Sequence, residues 1–124
     1  MEQKSEYEVV FYETSGGSCP AEEFLAALPV KIRAKTAKWI EMLERYGPDL
    51  TRPYVDIVRG KIRELRIIFG WRQFRFLYFF CGKYIVITHG FIKKTERVTE
   101  NELVRAQNIM YDFQDRLKKG EIKL

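Results

Sequence analysis

The chain has 124 residues, 46% of them hydrophobic and 15% aromatic, and a formal net charge of +5. This length and composition predict one domain over residues 1–124 with a single compact core, and they argue against a two-domain protein. The positive charge favours a nucleic acid or another polyanion as partner over an acidic small molecule, because clustered cations release counterions when they bind phosphates.

The cysteines and the N-terminal residues argue against metalloproteins, exported proteins and membrane proteins. Cys19 and Cys81 are far apart and show no metal-ligand spacing, so we expect no metal, no cofactor and two reduced thiols. Residues 1–6 are polar where a signal peptide would be apolar, and no apolar run is long enough to span a membrane. These features predict a cytoplasmic protein.

The first part of the chain predicts a strand followed by two helices. Tyr7 to Tyr12 is a short run of β-branched and aromatic residues that ends in a Gly-rich loop. Ser18-Cys19-Pro20 offers a cap and a first-turn proline for a helix over residues 21–28. A second helix, with apolar residues at helical spacing, opens after Pro29 and stops at Gly47-Pro48. The two helices are expected to form a hairpin against an apolar surface.

The second part predicts strands and a final helix. Tight turns at Gly70-Trp71 and Cys81-Gly82 indicate an antiparallel meander. Thr99 and Glu102 have the spacing of a capping box, which opens a helix that runs to about Lys118. The order is β-α-α-β-β-β(-β)-α, an α+β fold with a helical hairpin packed on an antiparallel sheet and a C-terminal helix. The predicted strands of the meander are roughly Val55 to Val58, Ile62 to Phe69, Gln73 to Phe80 and Tyr84 to His89.

Residues 59–97 hold the excess of positive over negative charge. This stretch has ten Lys or Arg and only two acids, Glu64 and Glu96. Because it is also the predicted sheet, positive charge is placed on strands, where a polyanion is the natural partner. The cations and one aromatic that we assign to nucleic-acid binding are Arg59, Lys61, Arg63, Trp71, Arg72 and Arg97.

Strand register brings two arginines together. If Gly70-Trp71 is a two-residue turn, Arg66 lies directly across from Arg75, and the neighbouring apolar pairs face the helices. Opposed like charges destabilise a strand pair, whereas a bound phosphate would favour them. A three-residue turn would separate the arginines, and a salt-bridged face that includes Glu64 is the structural alternative. We expect Arg75→Ala to leave folding intact and to abolish activity.

His89 is the only histidine and a possible general base. A Cys81-Gly82 turn pairs Arg75 with Thr88 and turns His89 to the apolar side, opposite Phe74. This register favours a satisfied core histidine, although a one-residue change would bring it beside Arg75. Lys93 and Lys94 follow at the strand exit, where they either reach a phosphate or remain in a solvated loop.

Short motifs over nearly the whole chain resemble one family. They are Tyr12-Glu13-Thr14, Gly17, Pro20, Glu23-Phe24-Leu25, Leu28-Pro29, Gly47-Pro48, Arg52-Pro53-Tyr54-Val55, Glu64-Leu65-Arg66, Phe74-Arg75-Phe76, Leu77-Tyr78-Phe79 and His89-Gly90-Phe91-Ile92-Lys93-Lys94-Thr95. In order and spacing they are similar to the phage-derived HigB-like toxins of the RelE/ParE superfamily. The resemblance implies a RelE-like fold and the toxin of a type II toxin-antitoxin module, with a helix-turn-helix, HigA-like antitoxin as partner.

The resemblance also implies an activity. Such toxins cut messenger RNA at the ribosome without a metal, and Arg66, Arg75, Lys93 and Lys94 match positions of their phosphate-contacting and catalytic side chains. The general acid or base stays open among Lys61, Lys93, Lys94 and His89, because the C-terminal tail has neither His nor Tyr. Two alternatives remain: a ParE-like gyrase poison without nuclease activity, and an inert module that only holds an antitoxin or RNA.

Overall fold

The computed structural model describes residues 6–124, which form one five-stranded sheet with helices on both of its faces. A single 3₁₀ turn, Gly47–Asp49, follows the second helix. The strands are β1 (Glu8–Phe11), β2 (Val55–Arg59), β3 (Ile62–Phe69), β4 (Arg72–Cys81) and β5 (Tyr84–Ile92), and the helices are α1 (Pro20–Ala26), α2 (Val30–Tyr46) and α3 (Glu100–Lys118).

The sheet is mixed rather than purely antiparallel. Its strand order is β1-β5-β4-β3-β2, in which β2 to β5 form the predicted meander. β1 instead pairs in parallel with β5, a correction to the predicted antiparallel sheet. A parallel neighbour needs a long crossover connection. The chain from α1 to β4 separates β1 from β5 in sequence, so the sequence distance is ample.

The predicted register of the β3–β4 hairpin is confirmed. Phe69 pairs with Arg72 across the Gly70-Trp71 turn, and Arg66 lies opposite Arg75. Gly70 has φ 63°, a left-handed conformation that glycine adopts without the penalty of a Cβ atom. The two arginines therefore share one face of the sheet.

The predicted register between β4 and β5 is wrong for two reasons. The turn is Gly82-Lys83, because Cys81 pairs with Tyr84. In addition, Leu77 pairs with His89 while the next residue of β4 pairs with Ile87, so Thr88 is an extra residue in a β-bulge. Beyond the bulge Phe91, not Thr88, lies opposite Arg75.

Each face of the sheet carries its own core. The α1–α2 hairpin covers one face, whose buried strand residues include Leu65, Phe74 and Phe76. α3 covers the other face over Ile62, Leu77 and other apolar residues. The arginine pair lies on the α3 face, because strand side chains alternate and Arg75 has the same parity as Leu77.

The start of α3 differs from the predicted capping box. Thr99 is the N-cap residue, but its side chain makes no capping hydrogen bond. The Glu102 carboxylate binds His89 instead of reaching back to the helix start. The predicted end of the helix near Lys118 is confirmed. Within residues 6–124, no helix combines the length and apolar character needed to cross a membrane.

Candidate active site

A pocket of about 430 Å³ opens on the α3 side of the sheet, between β2, β3 and the segment that follows β5. Positive charge outnumbers negative charge around it. Its lining cations are Arg52, Arg59, Arg66, Lys93 and Arg97, and its acids are Asp56, Glu64 and Glu96. Arg52 forms an ion pair with Asp56, and Arg59 forms one with Glu100, which is not a lining residue. Lys93 and Arg97 make no ion pair within the described residues.

Glu64 lies between the two facing arginines. Its Oε2 atom is 3.3 Å from Arg75 Nε, and its Oε1 atom is 3.8 Å from Arg66 Nε. The Glu64 side chain is 8% exposed, so the carboxylate is held in the wall of the pocket rather than in solvent. The structure therefore contains the salt bridge that was the alternative interpretation. Glu64 explains how two arginines can lie opposite each other without a bound phosphate.

Arg75 is fully buried. It donates from Nη2 to Gln73 Oε1 at 2.9 Å and from Nη1 to the Phe74 carbonyl at 3.1 Å. Burial lowers the pKa of Arg75, as does Arg66 to a lesser degree, and Glu64 opposes both effects. Arg75 is thus placed to position its neighbours rather than to touch a substrate.

This burial argues against the expectation that Arg75→Ala leaves folding intact. The substitution would open a cavity on the α3 face and leave the Glu64 carboxylate without its nearer cation. Loss of activity in that variant would not separate catalysis from stability. Arg66, whose side chain is 23% exposed and lines the pocket, is the informative arginine to replace.

Three buried polar atoms around the pair have no hydrogen-bond partner within residues 6–124: Glu64 Oε2, Arg66 Nε and Arg75 Nε. The 3.3 Å contact between Arg75 and Glu64 is an ion pair whose geometry does not meet hydrogen-bond alignment. Arg66 Nε is itself buried, so an added acceptor would meet Arg66 at the part of its guanidinium side chain that lines the pocket. A phosphate oxygen has the required chemistry.

Lys93 lies at the end of β5, beside the arginine pair. Its backbone N–H donates to the Gln73 carbonyl at 2.8 Å, which continues the strand ladder beyond β5 and places Lys93 on the Arg75 face. Burial lowers the pKa of Lys93, and the positive charges of Arg75 and Arg66 lower it further. The Glu64 carboxylate raises it, but by less than burial lowers it. Lys94 is exposed. The two lysines of the motif therefore occupy different environments.

A second cleft, of about 700 Å³, adjoins the first. The two share Lys93 and Glu96. The remaining residues of the second cleft are Trp71, Arg72, Gln73, Ile92, Lys94 and Thr95.

Two predicted nucleic-acid contacts lie outside these clefts. Lys61 is exposed at the β2–β3 turn and lines neither of them. Arg63 faces the opposite side of the sheet, where its guanidinium lies 5.1 Å from the centre of the Phe80 ring. The other predicted contacts, Arg59, Arg97, Trp71 and Arg72, line one cleft or the other. Sequence reasoning missed Arg52 and Asp56, and it treated Glu64 only as a possible salt-bridge partner.

His89 is buried and engaged on both ring nitrogens. Its Nε2 lies 2.7 Å from Glu102 Oε2, and its Nδ1 lies 3.0 Å from Thr88 Oγ1. The expectation of a satisfied core histidine is confirmed, but its predicted side of the sheet is wrong: it faces α3 opposite Leu77, not the apolar side opposite Phe74. Its ring lines neither cleft, which removes it as a substrate-contacting base.

We expect His89 to make the fold sensitive to acid. Burial lowers the pKa of His89 below 6.5, with Arg105 adding to the effect and Glu102 opposing it. Below that pH the unfolded chain takes up the proton more readily than the folded protein, so stability falls as pH falls through about 6.5. Urea unfolding at pH 7.5 and 5.5 measures the loss, which should be smaller in His89→Gln. An equal loss in both proteins would contradict this role.

Within the described chain, no group of three or more His, Cys, Asp or Glu side chains is arranged to hold a metal ion. The chemistry available at the site is that of cations and one carboxylate. Fixed guanidinium and ammonium groups around a concave surface favour a phosphate-bearing ligand and stabilise negative charge that develops on it.

The five-stranded mixed sheet with three helices is consistent with a RelE-like fold. The family model described as "Phage derived protein Gp49-like (DUF891)" matches residues 23–111. Since the match covers most of the chain, the chain belongs to this phage-derived, toxin-like family of the RelE/ParE group. A search of curated proteins found no match. Membership implies, in general terms, an antitoxin partner.

Proposed function

We propose that this protein is a HigB-like toxin of a type II toxin-antitoxin module that cleaves messenger RNA at the ribosome without a metal. The observation that supports it most is the pocket itself: Arg66 and Lys93 beside a buried Glu64–Arg75 ion pair. RelE-like toxins, with which the family is associated, are endoribonucleases. The partner in this proposal is a helix-turn-helix, HigA-like antitoxin.

The scissile phosphate occupies the pocket and accepts a hydrogen bond from the Arg66 guanidinium, which lines it. The ribose 2′-oxygen attacks the adjacent phosphorus, the bond to the 5′-oxygen breaks, and the products carry a 2′,3′-cyclic phosphate and a 5′-hydroxyl. The phosphorane that forms on the way carries an added negative charge. Arg66 stabilises this charge, and the Arg75–Glu64 pair holds Arg66 in place.

Lys93 moves the proton. A lysine acts as a base only in its neutral form, and burial together with two neighbouring arginines lowers the pKa of Lys93 toward that form. Its Nζ takes the proton of the 2′-hydroxyl and passes it to the departing 5′-oxygen, so no proton is gained or lost overall. Lys94, exposed in the adjoining cleft, serves to hold the RNA backbone.

Replacing Arg66 tests the proposal directly. We expect Arg66→Ala to lower the cleavage rate by about 10²- to 10³-fold, the usual effect of removing one donor to a developing anion. Arg66→Lys should recover part of the rate, since it keeps the charge but loses the guanidinium geometry. The readout is the yield of new 5′-hydroxyl ends within reading frames of messenger RNA from cells that express each variant at the same level. Arg63→Ala, on the opposite face, is the matched control.

The same samples discriminate the rival functions. Growth arrest with broken chromosomal DNA and intact messenger RNA would identify a gyrase poison. Normal growth on expression without the antitoxin would identify an inert binding module. Full cleavage by Arg66→Ala would contradict the assigned role of the pocket.

A further inference from the structure

Trp71 is the most exposed of the large apolar side chains in the described chain. It is 89% exposed at the tip of the β3–β4 turn, while the other exposed examples lie at or below 69%. The turn itself requires only the glycine at position 70, which has φ 63°. Folding thus gives no reason for an indole at this place, and an exposed aromatic beside a cleft points to a ligand.

The cleft beside Trp71 has the size and lining of a ligand site. Its volume of about 700 Å³ lies within the range of small-molecule pockets. Two apolar surfaces, Trp71 and Ile92, are combined with polar side chains from Gln73, Lys94 and Thr95. A flat, partly polar group such as a nucleobase matches this mixture.

The Gln73 side chain is oriented by the arginine pair. Arg75 donates to Gln73 Oε1 at 2.9 Å, which fixes the amide and leaves its nitrogen as the remaining donor. Through this contact the buried arginine connects the two clefts. A ring nitrogen or carbonyl of a base is an acceptor of the required kind.

The two clefts share a wall at Lys93 and Glu96. A strand with one phosphate beside Arg66 therefore has its next nucleotide at the second cleft. Proteins that hold single-stranded nucleic acid combine a basic groove along the backbone with an aromatic surface for the bases. Arg72, Lys93 and Lys94 provide that basic rim.

We propose that the second cleft is a nucleobase subsite, in which a base adjoining the scissile phosphate stacks on the Trp71 indole and accepts a hydrogen bond from Gln73. The subsite rests on the proposed function for its ligand, single-stranded RNA. Because stacking tolerates every base, the subsite requires a base at this position without demanding a particular one.

The probe is a trinucleotide RNA with 2′-deoxy riboses at its first and central positions, so that neither phosphate adjoins a 2′-hydroxyl and the probe binds without being cut. Two abasic analogues lack the base on one side or the other. We expect one abasic analogue to bind wild type about 5- to 150-fold more weakly than the parent, the range for loss of one stacked base. Trp71→Ala should weaken the parent trinucleotide by a similar factor and abolish the difference between parent and analogue. Trp71→Phe should retain most of the affinity.

Three further measurements separate stacking on Trp71 from the loss of any exposed aromatic side chain and from phosphate binding. Tyr111→Ala removes an aromatic side chain on α3 that is 61% exposed, and it should leave affinity unchanged. In a Trp39→Phe background Trp71 is the only tryptophan, and binding of the parent should quench its fluorescence. Arg66→Ala should weaken the parent and both analogues alike, since it acts on the phosphate.

Each outcome has a distinct meaning. Unchanged affinity in Trp71→Ala, or equal affinity for the parent and both analogues, overturns the subsite. Such a result leaves the nuclease proposal standing and would indicate that Trp71 contacts a protein instead. No binding of any probe to wild type at low salt overturns the subsite together with the RNA pocket. Base-dependent binding of the probe without cleavage of ribosome-bound messenger RNA supports the subsite and overturns the nuclease.

Discussion

Replacing Glu64 with glutamine is expected to lower the free energy of unfolding by about 3–5 kcal/mol. The variant keeps the size of the side chain but leaves the fully buried Arg75 without a carboxylate, since Glu64 is its ion-pair partner in the described chain. Arg66, whose charge disfavours the charged form of Arg75, loses its ion-pair partner Glu64 as well. Such a loss is a large part of the total stability of a small domain.

Urea or thermal unfolding measures the effect. Glu96→Gln is the matched control, because Glu96 also lines the pocket but is exposed and makes no ion pair within the described residues. If Glu64→Gln fails to fold, the double variant Glu64→Leu/Arg75→Met should restore folding, as well-packed apolar residues often replace buried ion pairs at little cost. A single Glu64→Gln variant as stable as the control would show that the pair is not the main support of this site.

The second large effect is expected at Lys93. Lys93→Met keeps much of the aliphatic stem and removes the ammonium, and we expect cleavage to fall by about 10²- to 10⁴-fold, the contribution of a positioned general base. Lys94→Met is the matched control, since Lys94 is the exposed neighbour in the same motif. The measurement is a single-turnover rate on ribosome-bound messenger RNA. Comparable losses in the two variants would indicate that both lysines only bind the backbone.

The pH dependence distinguishes a base from a binding cation. The pKa of Lys93 is lowered by burial, Arg75 and Arg66, so its neutral fraction at a given pH exceeds that of an ordinary lysine. As a base it works only when deprotonated, so the rate should rise with pH and level off below the usual lysine range near 10.4. Lys93→Met should abolish this rise. A rate that falls with pH over the same interval would identify Lys93 as a phosphate-holding cation.

The Arg66–Arg75 pair followed from the sequence because turn length fixes register in a hairpin. The same rule holds at the next hairpin, where Gly82 has φ 58° and begins the two-residue turn Gly82-Lys83. The predicted Cys81-Gly82 turn lies one residue too early, because Cys81 is the last paired residue of β4. The Thr88 bulge, in contrast, has no local sequence signal, because Thr is an ordinary strand residue and the extra position is set by packing around it.

Burial of charge was the other feature that sequence reasoning missed. A one-dimensional pattern assigns arginine to the surface, as most arginines are found there. Arg75 is buried because Glu64, Gln73 and the Phe74 carbonyl surround its guanidinium, an arrangement that arises only after two strands pair. The parallel pairing of β1 with β5 likewise depends on the docking of distant segments.

The Thr88 bulge has a consequence for how this site varies among relatives. Beyond the bulge β5 is one residue out of phase with its first half, and that offset puts Lys93 on the arginine face. If the same residues paired without the bulge, Lys93 would lie opposite Arg72 and point to the other face of the sheet. A change of pairing at this bulge, rather than loss of Thr88 itself, would then act as a functional switch within an unchanged fold, so relatives should be compared by the phase of β5 before their lysines are equated.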